Sequence, residues 1–240
     1  MKNSTAVEIE EMTLAIENND IDSVERLLDQ GADINARDSH ETPMLHLAVI
    51  HCAHWGTADL IKQFAVRGAA LECKDGRGMT ALTCAINMGI VPAARALLEA
   101  GARPNTPGAN GWSPLTYAMQ HFTGKCSEFV IPLLDHGADL ARYQKSHDKS
   151  LLHACVRQAD PALLRNLLSR GHDPRELDPE TGQNALQVAA NTYSTQASHD
   201  RNLQEIVSIL KDWFDCQAAK DAIDEVIAAL PTPTRVPKPC

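Results

Sequence analysis

A short glycine-led pattern recurs along the chain at a near-constant interval, and this periodicity restricts the fold more than any other feature. Gly31-Ala-Asp-Ile-Asn35 is echoed by Gly68-Ala-Ala-Leu71, Gly101-Ala-Arg-Pro-Asn105, Gly137-Ala-Asp-Leu140 and Gly171-His-Asp-Pro174, the glycines lying 37, 33, 36 and 34 residues apart. An apolar pair precedes each: Leu27-Leu28, Phe64-Ala65, Leu97-Leu98, Leu133-Leu134 and Leu167-Leu168. Such a pair before a glycine marks the end of an amphipathic helix closed by a residue with positive φ. A second marker follows 14 or 15 residues later at Leu45, Leu82, Leu115, Leu152 and Leu186, with Met12 in the same place in the first unit. Three residues on stands a small side chain: Ala15, Ala48, Ala85, Ala118, Cys155 and Ala189. A bulky and a small residue at i and i+3 share one helical face and let two helices approach closely.

The pattern resembles the ankyrin repeat, with its period near 33 and its Thr-Pro-Leu-His-x-Ala signature. Trp112-Ser-Pro-Leu-Thr-Tyr-Ala118 and Met79-Thr-Ala-Leu-Thr-Cys-Ala85 match in register; Lys149-Ser-Leu-Leu-His-Ala-Cys155 and Gln183-Asn-Ala-Leu-Gln-Val-Ala189 match more loosely. Glu41-Thr-Pro-Met-Leu-His-Leu-Ala48 carries one residue too many and is registered on Leu45-His46. A tetratricopeptide array has a similar period but lacks the glycine and the Thr-Pro turn. The resemblance implies an all-α solenoid of helix-turn-helix units joined by hairpin-like turns. Six units are expected, at residues 6–38, 39–75, 76–108, 109–145, 146–179 and 180–214. An amphipathic capping helix over 215–230 and a proline-rich tail over 231–240 complete the division. Asp22-Ser-Val-Glu25 reads as a capping box opening the first unit's second helix.

Composition narrows the function. The formal charge of −9 argues against nucleic acid or an anionic membrane as partner, since both attract a basic face. Residues 1–35 hold nine acids and two bases, and residues 203–230 hold six and two, so two acidic ends flank a neutral middle. A stack of similar units with solvated ends has this distribution. Aromatic residues make up only 4% of the chain, which disfavours a β-sandwich or barrel. No apolar run approaches the ~20 residues of a membrane span, and the first dozen residues hold no hydrophobic block. A cytoplasmic location is therefore expected. Seven cysteines, odd in number and with no Cys-x-x-Cys pair, are expected as reduced thiols.

Little in the chain points to catalysis. No phosphate-binding glycine loop, Gly-x-Ser-x-Gly or His-Glu-x-x-His is present. Resemblance implies that His46 and His153 hydrogen-bond the backbone of the neighbouring turn. His51, Cys52 and His54 raise a zinc question, but no second cluster lies at finger-like spacing; His121 and Cys126, two repeats away, are expected roughly 20 Å distant. Cys73 and Cys155 replace small core residues and act as compact hydrophobes. No cofactor and no metal is expected.

Resemblance implies that a concave face of turn tips and first helices binds other proteins. On this sequence the turn tips are Arg37, Ser39, His40 and Thr42, then Lys74, Arg77 and Met79, then Asn110 and Trp112, then Tyr143, Lys145 and His147. The helix positions are His51, Asn87, Met88, Gln120, His121, Arg157 and Gln158. Trp112 occupies a variable, outward-facing site, and exposed Trp, Tyr and Arg often dominate interface energies. The first three tips lean basic, which favours an acidic patch on the partner. Small stand-alone bacterial ankyrin proteins include immunity partners of toxins and injected effectors that bind host proteins. An inhibitor or immunity-type binder, monomeric when free, is expected first. A host-directed effector, or a metal-dependent enzyme or sensor using the His and Cys residues, are the alternatives. Units two, four and six carry 4, 3 and 8 additional residues between their helices. They form either a second binding ridge or merely longer helices.

Overall fold

Each unit contributes a first helix that packs on both sides and a second that buries one stripe. The computed structural model describes residues 5–108, 110–121, 125–141, 143, 150–195 and 200–229. Among these are twelve helices and no strand: α1 (Ala6–Glu17), α2 (Ile21–Asp29), α3 (Met44–Trp55), α4 (Asp59–Val66), α5 (Ala81–Asn87), α6 (Val91–Glu99), α7 (Pro114–His121), α8 (Ser127–Asp135), α9 (Leu151–Arg157), α10 (Pro161–Ser169), α11 (Ala185–Thr195) and α12 (Arg201–Ala229). Odd-numbered helices open the units and even-numbered helices close them. α1, α3, α5 and α7 stack in sequence, and α9 stacks on α11; in the second layer α4, α6, α8, α10 and α12 stack in order. One hydrophobic core runs between the layers. Leu82, Ala85 and Ile86 of α5 meet it from one side, and Ala93, Ala94 and Leu97 of α6 from the other. Each fully buried Leu or Ile contributes about 2 kcal/mol of transfer free energy.

Helix ends follow local chemistry. Thr5 and Glu8 form a capping box at α1, with Glu8 N–H donating to Thr5 Oγ1 at 3.3 Å and Thr5 N–H donating to Glu8 Oε2 at 2.8 Å. α2 is capped by Asp20, whose Oδ1 accepts from Ser23 N–H at 3.0 Å. This corrects the expected box at Asp22–Glu25: α2 starts at Ile21, so Asp22 already lies inside its first turn.

The five repeat glycines all have positive φ, from 83° to 98°. At Gly101, φ is 93° and the N–H groups of Gly101 and Ala102 close back on Leu98 and Leu97. A Cβ there would meet no atom within 4 Å, so backbone conformation alone selects glycine. Polar side chains just beyond the glycines sew units together. Asn35 Oδ1 accepts from Ala70 N–H, Glu72 accepts from Arg103 N–H and the Thr106 hydroxyl, and Asn105 Oδ1 accepts from Asp139 N–H.

The additional residues of unit two lengthen a helix: α3 has 12 residues where α5 and α9 have 7, and Gly56 at φ 70° ends it. In unit six α11 has 11 residues. Residues 122–124 and 196–199, where the remaining additions fall, lie outside the described residues, as do the proline-rich tail, Lys145 and His147. At the far end α12 runs unbroken over 29 residues, so the expected separate cap is a continuation of the last unit's second helix. No described helix is long and apolar enough to cross a membrane.

Candidate protein-binding face

The turns between units are built on one plan. Asp38 N–H donates to the Thr42 carbonyl, and Asp38 Oδ1 accepts from the N–H groups of His40 and Thr42. Asp75 repeats this with Met79 and Arg77. In the turn leading into unit four Gly108 takes the Asp position, its N–H donating to the Trp112 carbonyl. The fourth residue of each turn needs positive φ; Gly78 and Gly111 supply it without strain, whereas Glu41 adopts φ 61°.

This scaffold leaves some tip residues open and commits others. His40 is exposed, and Thr42 is half-buried. Arg37 is a brace: its Nη1 donates to the Glu41 carbonyl at 2.7 Å and its Nη2 to the Lys74 carbonyl at 2.8 Å. Lys74 donates from Nζ to the Pro107 carbonyl at 3.0 Å, and Arg77 is exposed while pairing with Asp75 at 3.1 Å. Asn110 Oδ1 accepts from Trp112 N–H and the Tyr117 hydroxyl. Trp112 leans edge-on against Tyr117, ring centroids 5.4 Å apart, yet remains 37% exposed.

Two expected tip residues face inward. Met79 is 7% exposed and packs into the core, while its carbonyl accepts from Asp75 N–H and from His46. Tyr143 is 3% exposed and belongs to the core. α7 and α9 pack less directly than the other first-helix pairs, and Tyr143 lies within electrostatic reach of Cys126 and Arg157 at that junction. Burial pushes its phenol up to about 12.

Along the first helices Met88 is 44% exposed at the end of α5, Gln120 is exposed, and His51 and Asn87 are half-buried. The His121 side chain lies outside the described residues. Arg157 pairs with the fully buried carboxylate of Asp178, and Gln158 Nε2 donates to the Met119 carbonyl at 2.9 Å. Both are inter-unit braces. His40, Arg77, Met88, Trp112 and Gln120 are the expected contact residues the structure leaves most open.

The histidine and cysteine groups are dispersed. His51 is half-buried, Cys52 is buried, and His54 meets Trp55 edge-on on the surface. Trp55 donates from Nε1 to the Glu17 carbonyl at 3.0 Å, covering the end of α1. Among the described residues no three His, Cys, Asp or Glu side chains gather to hold a metal. Burial pushes the Cys52, Cys84, Cys126 and Cys155 thiols up, which suppresses thiolate. His46 meets its expected partner, Nε2 lying 3.0 Å from the Met79 carbonyl, and burial holds its imidazole below the ordinary range. His153 lies beside the Gln183 backbone without hydrogen-bond geometry, and neither ring nitrogen has a partner.

Sequence reasoning missed a groove of about 520 Å³ between α1 and the first turn. Ala6, Ile9, Glu10, Thr13, Leu14 and Glu17 line it opposite residues 37–40.

Comparison with known proteins agrees with this architecture. A sequence model of three ankyrin repeats matches residues 45–144, and a single-repeat model matches residues 12–39, together more than half of the chain. A putative ankyrin repeat-containing protein of Treponema pallidum (strain Nichols) is 38% identical over 121 residues, which are 50% of this chain and 38% of that protein. The mouse B-cell lymphoma 3 protein homolog is 31% identical over 153 residues, 63% of this chain and 33% of that protein. The chain thus spans well under half the length of these curated relatives. Among solved structures, one of the Bd0816 predatory endopeptidase from Bdellovibrio bacteriovorus in complex with immunity protein Bd3460 contains a similar chain. The TM-score is 0.57 at 24% identity, covering 86% of this chain and 99% of that one. From its repeated helix pairs, positive-φ glycines and matching sequence models, the chain belongs to the ankyrin repeat family.

Proposed function

We propose that the chain is a non-catalytic binder that covers a protein partner with its face of turn tips and first helices, as an inhibitor or immunity-type protein. The observation that carries this reading is the division of labour on that face. Arg37, Lys74, Arg157 and Gln158 brace the units, while Arg77, Met88, Trp112 and Gln120 are held on a rigid frame and stay open. A rigid frame with open Trp, Met and Arg side chains lowers the ordering cost of association. Lys74 and Arg77 favour an acidic patch on the partner. The similar solved structure holds an endopeptidase with an immunity protein, which supports the inhibitor form of the reading. Buried thiols and dispersed histidines support the non-catalytic part.

The test is capture of the partner from the source organism, followed by affinity measurements on Trp112→Ala and Arg77→Gln. Glutamine is preferred to glutamate because a carboxylate at 77 would repel Asp75, which Arg77 contacts at 3.1 Å. Each substitution is expected to weaken binding by roughly 30-fold, about 2 kcal/mol, with the helical signal unchanged. Wild-type affinity in both variants sinks the assignment of this face.

A further inference from the structure

The turns of units two to four are joined by a ladder with a direction. Arg37 donates to the carbonyl of Lys74, and Lys74 donates to the carbonyl of Pro107. Arg37, Lys74 and Pro107 hold one position in successive turns, each immediately before the residue whose N–H closes the turn: Asp38, Asp75 and Gly108. The Lys74 and Pro107 carbonyls thus each take a cation from the preceding turn. The first carbonyl, that of Arg37, accepts no hydrogen bond from a described residue. By the geometry of the repeat it is turned toward α1, away from the Lys74 turn that Arg37 braces.

The groove described above occupies that place. Its α1 wall is apolar at Ala6, Ile9 and Leu14, and Leu14 is 57% exposed. Glu10, Glu17 and Asp38 stand around it. Against three carboxylates it sets one guanidinium, Arg37, whose Nη atoms are already taken by the Glu41 and Lys74 carbonyls. Residues 5–35, which include the groove's α1 wall, hold nine acids and one base. Negative potential, an open acceptor and an apolar wall favour a cation carried on an aliphatic stem.

We infer that this groove docks a basic, turn-like segment of the protein partner. A Lys or Arg of that segment donates to the Arg37 carbonyl and adds one rung to the ladder from outside, and an adjacent aliphatic side chain covers Ile9 and Leu14. This rests on the protein-binding reading above and uses a surface that adjoins the turn-tip face at residues 37–40.

The probe is a short capped peptide with one Arg between two Leu residues, titrated into the isotope-labelled full chain and followed by NMR. A sister peptide has Glu in place of Arg. Shifts are expected in α1 and residues 37–40, with affinity falling roughly ten-fold or more in the Glu10→Gln/Glu17→Gln double variant and between about 50 and about 500 mM salt. Both glutamates are exposed, so the double variant keeps the fold. Equal binding of the Glu peptide, shifts centred on Trp112, or no saturable shift at millimolar peptide overturns the groove. Trp112→Ala reports on the turn-tip face and the glutamate pair on the groove, so the two readings fail separately.

Discussion

The junction of units two and three and the junction of units five and six start from the same signature histidine and end differently. His46 is 1% exposed and bonded to the Met79 carbonyl; His153 is 0% exposed and has no hydrogen-bond partner. The turns they face differ by one residue. Asp75 closes on Met79, four residues on, whereas Asp178 closes on Gln183, five residues on. With the longer turn, the Gln183 backbone lies beside His153 without hydrogen-bond geometry, and the Asp178 carboxylate is fully buried where Arg157 and the Thr181 hydroxyl reach it. One junction is thus held by a neutral hydrogen bond and the other by an ion pair whose carboxylate is buried. A signature residue does not by itself fix the interaction it makes; at these two junctions the facing turns differ in length as well.

The sharpest way to break this comparison is to remove the ion pair. Asp178→Ala leaves Arg157 without its counter-charge, and it should lower unfolding free energy by about 2 kcal/mol in urea titration. That value is discounted from the fully buried case because Arg157 is 31% exposed. A loss below about 0.5 kcal/mol would mean that water already satisfies Arg157.

The two histidines should separate on substitution by an apolar residue. His46→Leu abandons a made hydrogen bond and should cost about 1–2 kcal/mol, while His153→Leu removes two unpartnered nitrogens and should be neutral or stabilising. Equal costs would show that the junctions are alike after all.

Acid should weaken both junctions. Burial lowers both imidazole pKa values from the ordinary 6.5, with the hydrogen bond to Met79 partly offsetting this at His46. Below pH 6.5 the unfolded chain takes up protons that the folded chain refuses, so stability is full above 6.5 and falls as pH drops beneath it. The slope reaches about 1.4 kcal/mol per pH unit for each histidine. A His46→Leu/His153→Leu double variant should melt at a temperature less dependent on pH between 6.5 and 5. An unchanged slope would assign the effect to other groups.

The smallest effect is in the loop after α9. Ala159 adopts φ 54° where unit three has Gly89 at φ 75°. Ala159→Gly relieves left-handed strain but loses a buried methyl, and a net gain of about 0.5 kcal/mol is expected in thermal unfolding. Destabilisation would mean that the methyl outweighs the strain.

The repeat itself was legible because its constraints are local. Gly31, Gly68, Gly101, Gly137 and Gly171 announce left-handed helix ends, and Leu and Ala three apart announce the packing face of a first helix. Contact residues were less legible. Lys74 and Arg77 are both basic tip residues, yet the first bridges to the next turn and the second stays open. Nothing at either position shows how far away the next turn lies. Tyr143 was assigned to a tip by spacing and is instead part of the core. The additions to unit two read equally as loop or helix until Gly56 is seen to end α3 after one further turn.

By itself the sequence determined the helix-pair solenoid, its period, its glycine-closed ends and its two acidic extremities. These follow from backbone conformation, helical periodicity and charge, each set by residues close in the chain. Only the tertiary structure decided which side chains brace one unit to the next, which histidine finds its carbonyl, and where α1 and the first turn leave a groove between them. Those outcomes depend on distances between units some 33 to 37 residues apart, where one residue in a turn moves a donor past its acceptor.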